Sequence, residues 1–276
     1  MKEKEKEYKV AGESVYKSDL SRRTLKRLNK KLVNRFIGAS PKEKEEIAGE
    51  WILTKKSLAT ILQIELDEKE VTETVIKEIL FNPNFNAVNE KIWKRLSESE
   101  NDGIRRISAM SKMATGKRLV EMLKKELEGE CNEEVIIEIL RSSYFVKVED
   151  IDDETWETLS ESENSEIRRR IALCYFNTAE RFIKMLKKEL RRSSSNYTVI
   201  CTIFDNYNFR KVSEIDEETW KGLSENENWR IRRFAVQSRF ATAERLQEML
   251  NNEENADVIE AIHSNPIFKN DEEASS

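Results

Sequence analysis

Three stretches of this sequence read almost alike: "EKIWKRLSESENDGIRRISAM" (90–110), "ETWETLSESENSEIRRRIALC" (154–174) and "ETWKGLSENENWRIRRFAVQS" (218–238). Their tryptophans, Trp93, Trp156 and Trp220, stand 63 and 64 residues apart. No other feature constrains the fold as much, because a fixed period of this length means one supersecondary unit written several times. Two further landmarks recur in register. Thr115, Thr178 and Thr242 each follow the tryptophan by 22 residues and open "TGKRLVEML", "TAERFIKML" and "TAERLQEML". Each copy then closes on "EVIIEILRSSYF" (134–145), "TVICTIFDNYNF" (198–209) or "DVIEAIHSNPIF" (257–268). An earlier copy keeps "LTKKSLATIL" (53–62) and "TVIKEILFNPNF" (74–85), with Leu32 where the others place tryptophan. The expectation is about four units of ~63 residues, the first degenerate at its start.

Within a unit the apolar residues fall at helical spacing. Trp156 and Leu159 share one face, and Ile167, Ile171 and Cys174 form a second stripe. Thr178 is placed as an N-cap ahead of Phe182, Met185, Leu186 and Leu190, and Val199, Ile200, Ile203 and Phe204 line a fourth segment. No such short helix buries its stripe alone, whereas stacked neighbours share a continuous core. The chain has only seven Gly and three Pro, too few turn formers for an all-β fold.

Leu159, a polar turn, Ile167, Arg168, Ile171, Ala172 and Thr178, with exits "NPNF" (82–85) and "NPIF" (265–268), resemble HEAT-like repeats. More narrowly, they resemble the variant leucine-rich (LRV) class, over about residues 40–268. The resemblance implies an all-α, right-handed α-solenoid, with inner helices lining a concave face and outer helices behind them. It also implies a binding or scaffold role without a cofactor. Residues 1–16 are expected to be a disordered tail and 17–40 a basic amphipathic capping helix. The repeat domain is expected over 41–268, with a disordered end at 269–276.

Charged residues make up 37% of the chain and the net charge is −5, unevenly spread. Residues 17–35 hold eight Lys or Arg against Asp19 alone. No apolar run approaches the ~20 residues that span a membrane, and "MKEKEKEYKV" has no signal-peptide core. Cys131, Cys174 and Cys201 are scattered and odd in number, which fits reduced thiols in a cytoplasmic protein rather than disulfides or zinc. A single histidine, His263, lies in the last apolar-striped segment, where a buried or capping role is expected. No nucleophile–base pairing, phosphate loop or metal motif is present, so neither catalysis nor a metal is expected.

Three groups are candidates for recognition. The first is the arginine pair that starts each inner helix: Arg105/Arg106, Arg168/Arg169 and Arg232/Arg233. Stacked units would align these into two columns suited to phosphates or acidic peptides. In the resembling families the first arginine instead bridges to a turn side chain, here Glu98, Glu161 or Glu225. That leaves Arg106, Arg169 and Arg233 as the freer members, with Arg232 kept as a candidate in the last unit. The second group is "NWRIRRFAVQSRF" (228–240), where Trp229 and Arg230 depart from the repeat and Arg239 follows. On a helix, Trp229 and Arg233 fall within ~40° of each other, facing outward if residue 229 is already helical. The third group is the basic helix with Arg22, Arg23, Lys26, Arg27, Lys30 and Lys31 around Leu20, Leu25, Leu28, Leu32 and Phe36. The expected partner is a protein, met by a monomeric chain along the concave face. The alternative is nucleic acid, extending by fold analogy to HEAT-like DNA glycosylases.

Overall fold

The computed structural model describes residues 7–10, 13–16, 21–50, 52–129 and 131–268. Apart from one short hairpin, the described chain is all-α, and it divides into two compact units, Met1–Ser142 and Ser143–Ser276. The first unit starts with β1 (Glu7–Val10) and β2 (Glu13–Tyr16), paired antiparallel with Tyr8 opposite Val15. The hairpin lies inside the segment 1–16, expected from the sequence to be a disordered tail. "EYKV" alternates polar and apolar residues and is joined to "ESVY" by Ala11-Gly12, a hairpin signal hidden by the surrounding Lys/Glu run. Residues 1–6, 17–20 and the expected C-terminal tail, 269–276, lie outside the described residues.

Helices follow in a repeating order. The first unit has α1 (Arg22–Phe36), α2 (Pro41–Ala48), α3 (Lys55–Asp67) and α4 (Glu73–Phe81), then α5 (Glu90–Ser97), α6 (Asp102–Met110), α7 (Gly116–Glu128) and α8 (Glu133–Arg141). The second begins with the one-turn α9 (Ser143–Val146), followed by α10 (Asp153–Glu161), α11 (Ser165–Ala172), α12 (Ala179–Leu190) and α13 (Tyr197–Asp205). A 3-10 turn, Phe209–Lys211, leads to α14 (Glu217–Ser224), α15 (Trp229–Gln237), α16 (Ala243–Asn252) and α17 (Ala256–Ser264). In the first unit the even-numbered helices α2, α4, α6 and α8 pack each against the next. In the second, α11, α13, α15 and α17 do the same.

Caps set these boundaries. Thr54, Thr115, Thr178 and Thr242 each accept from the backbone N–H three residues on, starting α3, α7, α12 and α16. Asn101, Asn164 and Asn228 start α6, α11 and α15 by accepting from the N–H of Ile104, Glu166 and Arg230. Between α1 and α2, Gly38 adopts a left-handed φ of 79°, and a Ser40–Glu43 capping box with Pro41 begins the next helix.

The three tryptophans are equivalent and buried, with 3%, 1% and 2% exposure. A guanidinium covers each ring: Arg118 over Trp93 at 5.0 Å, Arg181 over Trp156 at 5.7 Å and Arg245 over Trp220 at 4.9 Å. Each of these arginines also bonds an acid at the start of the tryptophan's own helix, Glu90, Asp153 or Glu217. The closing phenylalanines Phe85, Phe145, Phe209 and Phe268 are buried too. Among the described residues no helix is long and apolar enough to cross a membrane.

Candidate binding surfaces

The first arginine of each pair is tied down, but not by the residues the sequence suggests. Arg168 forks onto Glu189, with Nε to Oε2 at 2.7 Å and Nη2 to Oε1 at 3.1 Å, while Nη1 donates to the Ser162 and Glu163 carbonyls. Arg105 treats Glu126 and the Ser99 and Glu100 carbonyls likewise, and Arg232 treats Glu253 and the Asn226 and Glu227 carbonyls likewise. In the first copy Lys44 stands in, 3.1 Å from Glu65. The acid in turn accepts from the backbone N–H that opens the next short helix: Thr72, Asn132, Asn196 or Asn255. The turn glutamates go elsewhere, Glu98 to Lys94 and Lys125, and Glu161 to Lys188. Geometry explains the correction, because the guanidinium points back across the turn, reaching its carbonyls and the long helix behind. These knots use most of Arg232's donors, so it has little to offer a ligand.

The second arginines differ from one another. Arg106 lies 3.7 Å from Glu134, and its buried Nε has no hydrogen-bond partner. Arg169 and Arg170 both bind Glu166, which holds that carboxyl down at about 2, chiefly through the Arg169 bond. In α15 the position of Glu166 is taken by Arg230. Neither Arg230 nor Arg233 has an ion pair among the described residues, and both are exposed. They flank the half-exposed Tyr197 of α13, whose ring meets Phe234 edge-on at 6.3 Å. A hydrogen bond with Cys201 raises the Tyr197 hydroxyl above the usual phenol range, with burial adding to it, while Arg230 and Arg233 pull it down. Arg233 also lines a cavity of about 320 Å³ between α15 and α17, with Gln237, Asp257, Glu260 and Ser264.

Trp229 is the first residue of α15, half-buried, with the Arg230 guanidinium 5.6 Å from its ring. Arg239 is turned to the chain itself. It donates to the Phe209 and Val212 carbonyls and lies 4.5 Å over Phe240. The structure therefore gathers Arg230, Arg233, Tyr197 and Phe234, and sends Arg239 elsewhere. Tyr197 and Phe234 were missed because they read as ordinary helix residues. Alignment of the copies could have found them, since the same positions hold Glu133 and Ile107 in the first unit.

The basic helix forms as α1, with Asn29 and Phe36 buried and Leu25, Leu28 and Leu32 half-buried. Asn29 is its anchor, donating to Ile52 O and accepting from Thr54 N at 2.7 Å. Arg22, Arg23, Lys26, Arg27, Lys30 and Lys31 are all exposed, and none has an ion pair among the described residues. Beside them lies a cleft of about 910 Å³ between α1 and α3, whose cationic lining is Arg22, Lys26, Lys30, Lys55 and Lys56. Among the described residues no acidic side chain lines it.

His263 is exposed rather than buried, 5.9 Å from Phe268, because the helical register turns Ile262 inward. Cys174 is buried and its thiol is pushed up to about 12 by that burial. No cluster of metal-ligating side chains occurs among the described residues. No protein-family model matches this chain, and no curated protein matches it.

Proposed function

We propose that this chain is a non-enzymatic binding module that recognises a protein partner along the exposed side of its short inner helices. The finer architecture belongs to the same reading: a right-handed α-solenoid of about four HEAT-like units, acting as a monomer in a reducing, cytoplasmic setting. The recurring arginine–glutamate knots support a repeat built for stacking, and the free thiols support the setting.

One observation carries the functional reading. At the position where Glu166 neutralises two arginines in α11, α15 has Arg230, so among the described residues Arg230 and Arg233 stand without an ion pair beside Tyr197 and Phe234. Arginine and tyrosine are the side chains that most often dominate protein interfaces, because they combine a large contact area with directed polar groups. An acidic side chain on the partner would supply the charge that Glu166 supplies elsewhere. The test is parallel affinity capture from native lysate with wild type and an Arg230→Glu/Arg233→Glu variant, both checked by circular dichroism. A specific partner lost only from the folded variant supports the reading, and partners retained equally by both refute this surface.

The cations of α1, without an ion pair among the described residues, favour a second reading, nucleic-acid binding. A salt titration with short DNA and RNA decides it: affinity should fall steeply between about 50 and 200 mM salt if phosphates are bound.

A further inference from the structure

Of the residues that line the α1–α3 cleft, Ser57 is smaller than its counterpart arginine in the later copies and Asn29 replaces an acid. In the later copies a tryptophan, the arginine lying over it and the acid bonded to that arginine form one cluster. At those positions the first copy has Leu32, Ser57 and Asn29. Asn29 and Ser57 face the opening, over an apolar floor that includes Leu25, Val33, Ile52 and Leu53. Cations ring this opening.

The ring is ordered. Arg22, Lys26 and Lys30 are four residues apart, one ridge of α1 with its charges ~6 Å apart along the axis. Lys55 and Lys56 face them from the first turn of α3. Both helices lack an acid in the first turn, where the helix dipole favours one. Cations there work against local stability.

We propose that this cleft binds an acidic amphipathic helix of a protein partner, which lays apolar side chains on the floor and carboxylates along the Arg22–Lys26–Lys30 ridge. The site is separate from the Arg230–Arg233 surface and stands or falls independently of it. Charge and shape together select the occupant. The described lining holds no aromatic side chain on which bases could stack, as single-stranded nucleic acid would use. Residues 1–20 of this chain carry five lysines and five acids, so they offer no net negative charge. The acidic 269–276 has no large apolar residue to fill the floor.

The test uses the full chain and a fluorescein-labelled helical peptide with leucines at i, i+3, i+4 and i+7 and glutamates on the flanking positions. Two variants are compared with wild type. Lys26→Glu/Lys30→Glu/Lys56→Glu reverses the rim through exposed side chains only. Val33→Trp refills the floor with a bulkier side chain and leaves the rim intact. Anisotropy titrations should show binding weakened at least about tenfold by either change, and equally by scrambling the peptide at constant composition. Absence of peptide binding at low salt overturns the proposal, and so does equal binding to the refilled chain. Tighter binding of a single-stranded oligonucleotide or of anionic vesicles, unaffected by the refill, would also overturn it in favour of a general polyanion surface.

Discussion

Replacing Glu189 alone leaves the Arg168 guanidinium buried without its counter-charge, since the two side chains are only 1% and 5% exposed. Glu189→Leu should therefore cost ~3–5 kcal/mol in chemical denaturation, whereas an exposed ion pair contributes ~1 kcal/mol or less. Arg168→Met/Glu189→Leu together should recover only part of the loss. Arg168 also holds the Ser162 and Glu163 carbonyls, and Glu189 also accepts from Asn196 N. A single-variant loss near 1 kcal/mol would show that water reaches the pair. Glu166 makes a different prediction. Its carboxyl is lowered from 4.5 to about 2 by Arg169 and then Arg170, so its contribution is present above 4.5 and disappears as pH falls toward 2. The stability curves of wild type and Glu166→Gln should differ at neutral pH and converge in acid; parallel curves would exclude this role. The arginines were legible in the sequence as a motif, but their partners were not. The eye pairs Arg168 with the nearby turn Glu161, while the fold pairs it with Glu189, 21 residues on. That same offset in all four copies was the signal available.

At the scale of the helix, two effects of different size hold α12 and its neighbours in place. Thr178 caps α12 by accepting from Arg181 N, and Thr178→Ala should cost ~1 kcal/mol. Trp156 fills the space between helices, under Arg181, with its indole N–H 2.7 Å from Asn177 Oδ1. Trp156→Ala should cost ~3–5 kcal/mol, because a cavity adds to the lost transfer energy. Melts in which the cap variant proved the more harmful would mean that the tryptophan position collapses readily. Helix starts were readable because each is written as Thr, Asn, Ser or Asp ahead of an apolar stripe, and both the Thr178 and tryptophan positions hold in the structure. The hairpin was obscured because Lys/Glu alternation dominates its surroundings. The α1–α3 cleft was unreadable for another reason: a smaller side chain such as Ser57 leaves no mark until the copies are overlaid.

Across the whole molecule, interactions stay short in sequence. The longest hydrogen bonds among the described residues, Asn82 to Ala48 O and Asn206 to Ala172 O, span 34 residues, about half a repeat. Each compact unit also has its own core, with Trp93 in one and Trp156 and Trp220 in the other. In such chains stability is close to a sum of local terms and nearest-neighbour interfaces, so damage spreads only as far as the next interfaces carry it. Partial openings then become accessible below the free energy of global unfolding. Hydrogen exchange should therefore show Glu189→Leu lowering protection first in α11, α12 and α13, then in α10 and α14, with α2, α4 and α6 keeping wild-type rates. The reciprocal variant, Glu126→Leu, should spare α15, α16 and α17. If either variant instead lowers protection equally in both units, the chain unfolds as one cooperative block, and the local-sum description fails.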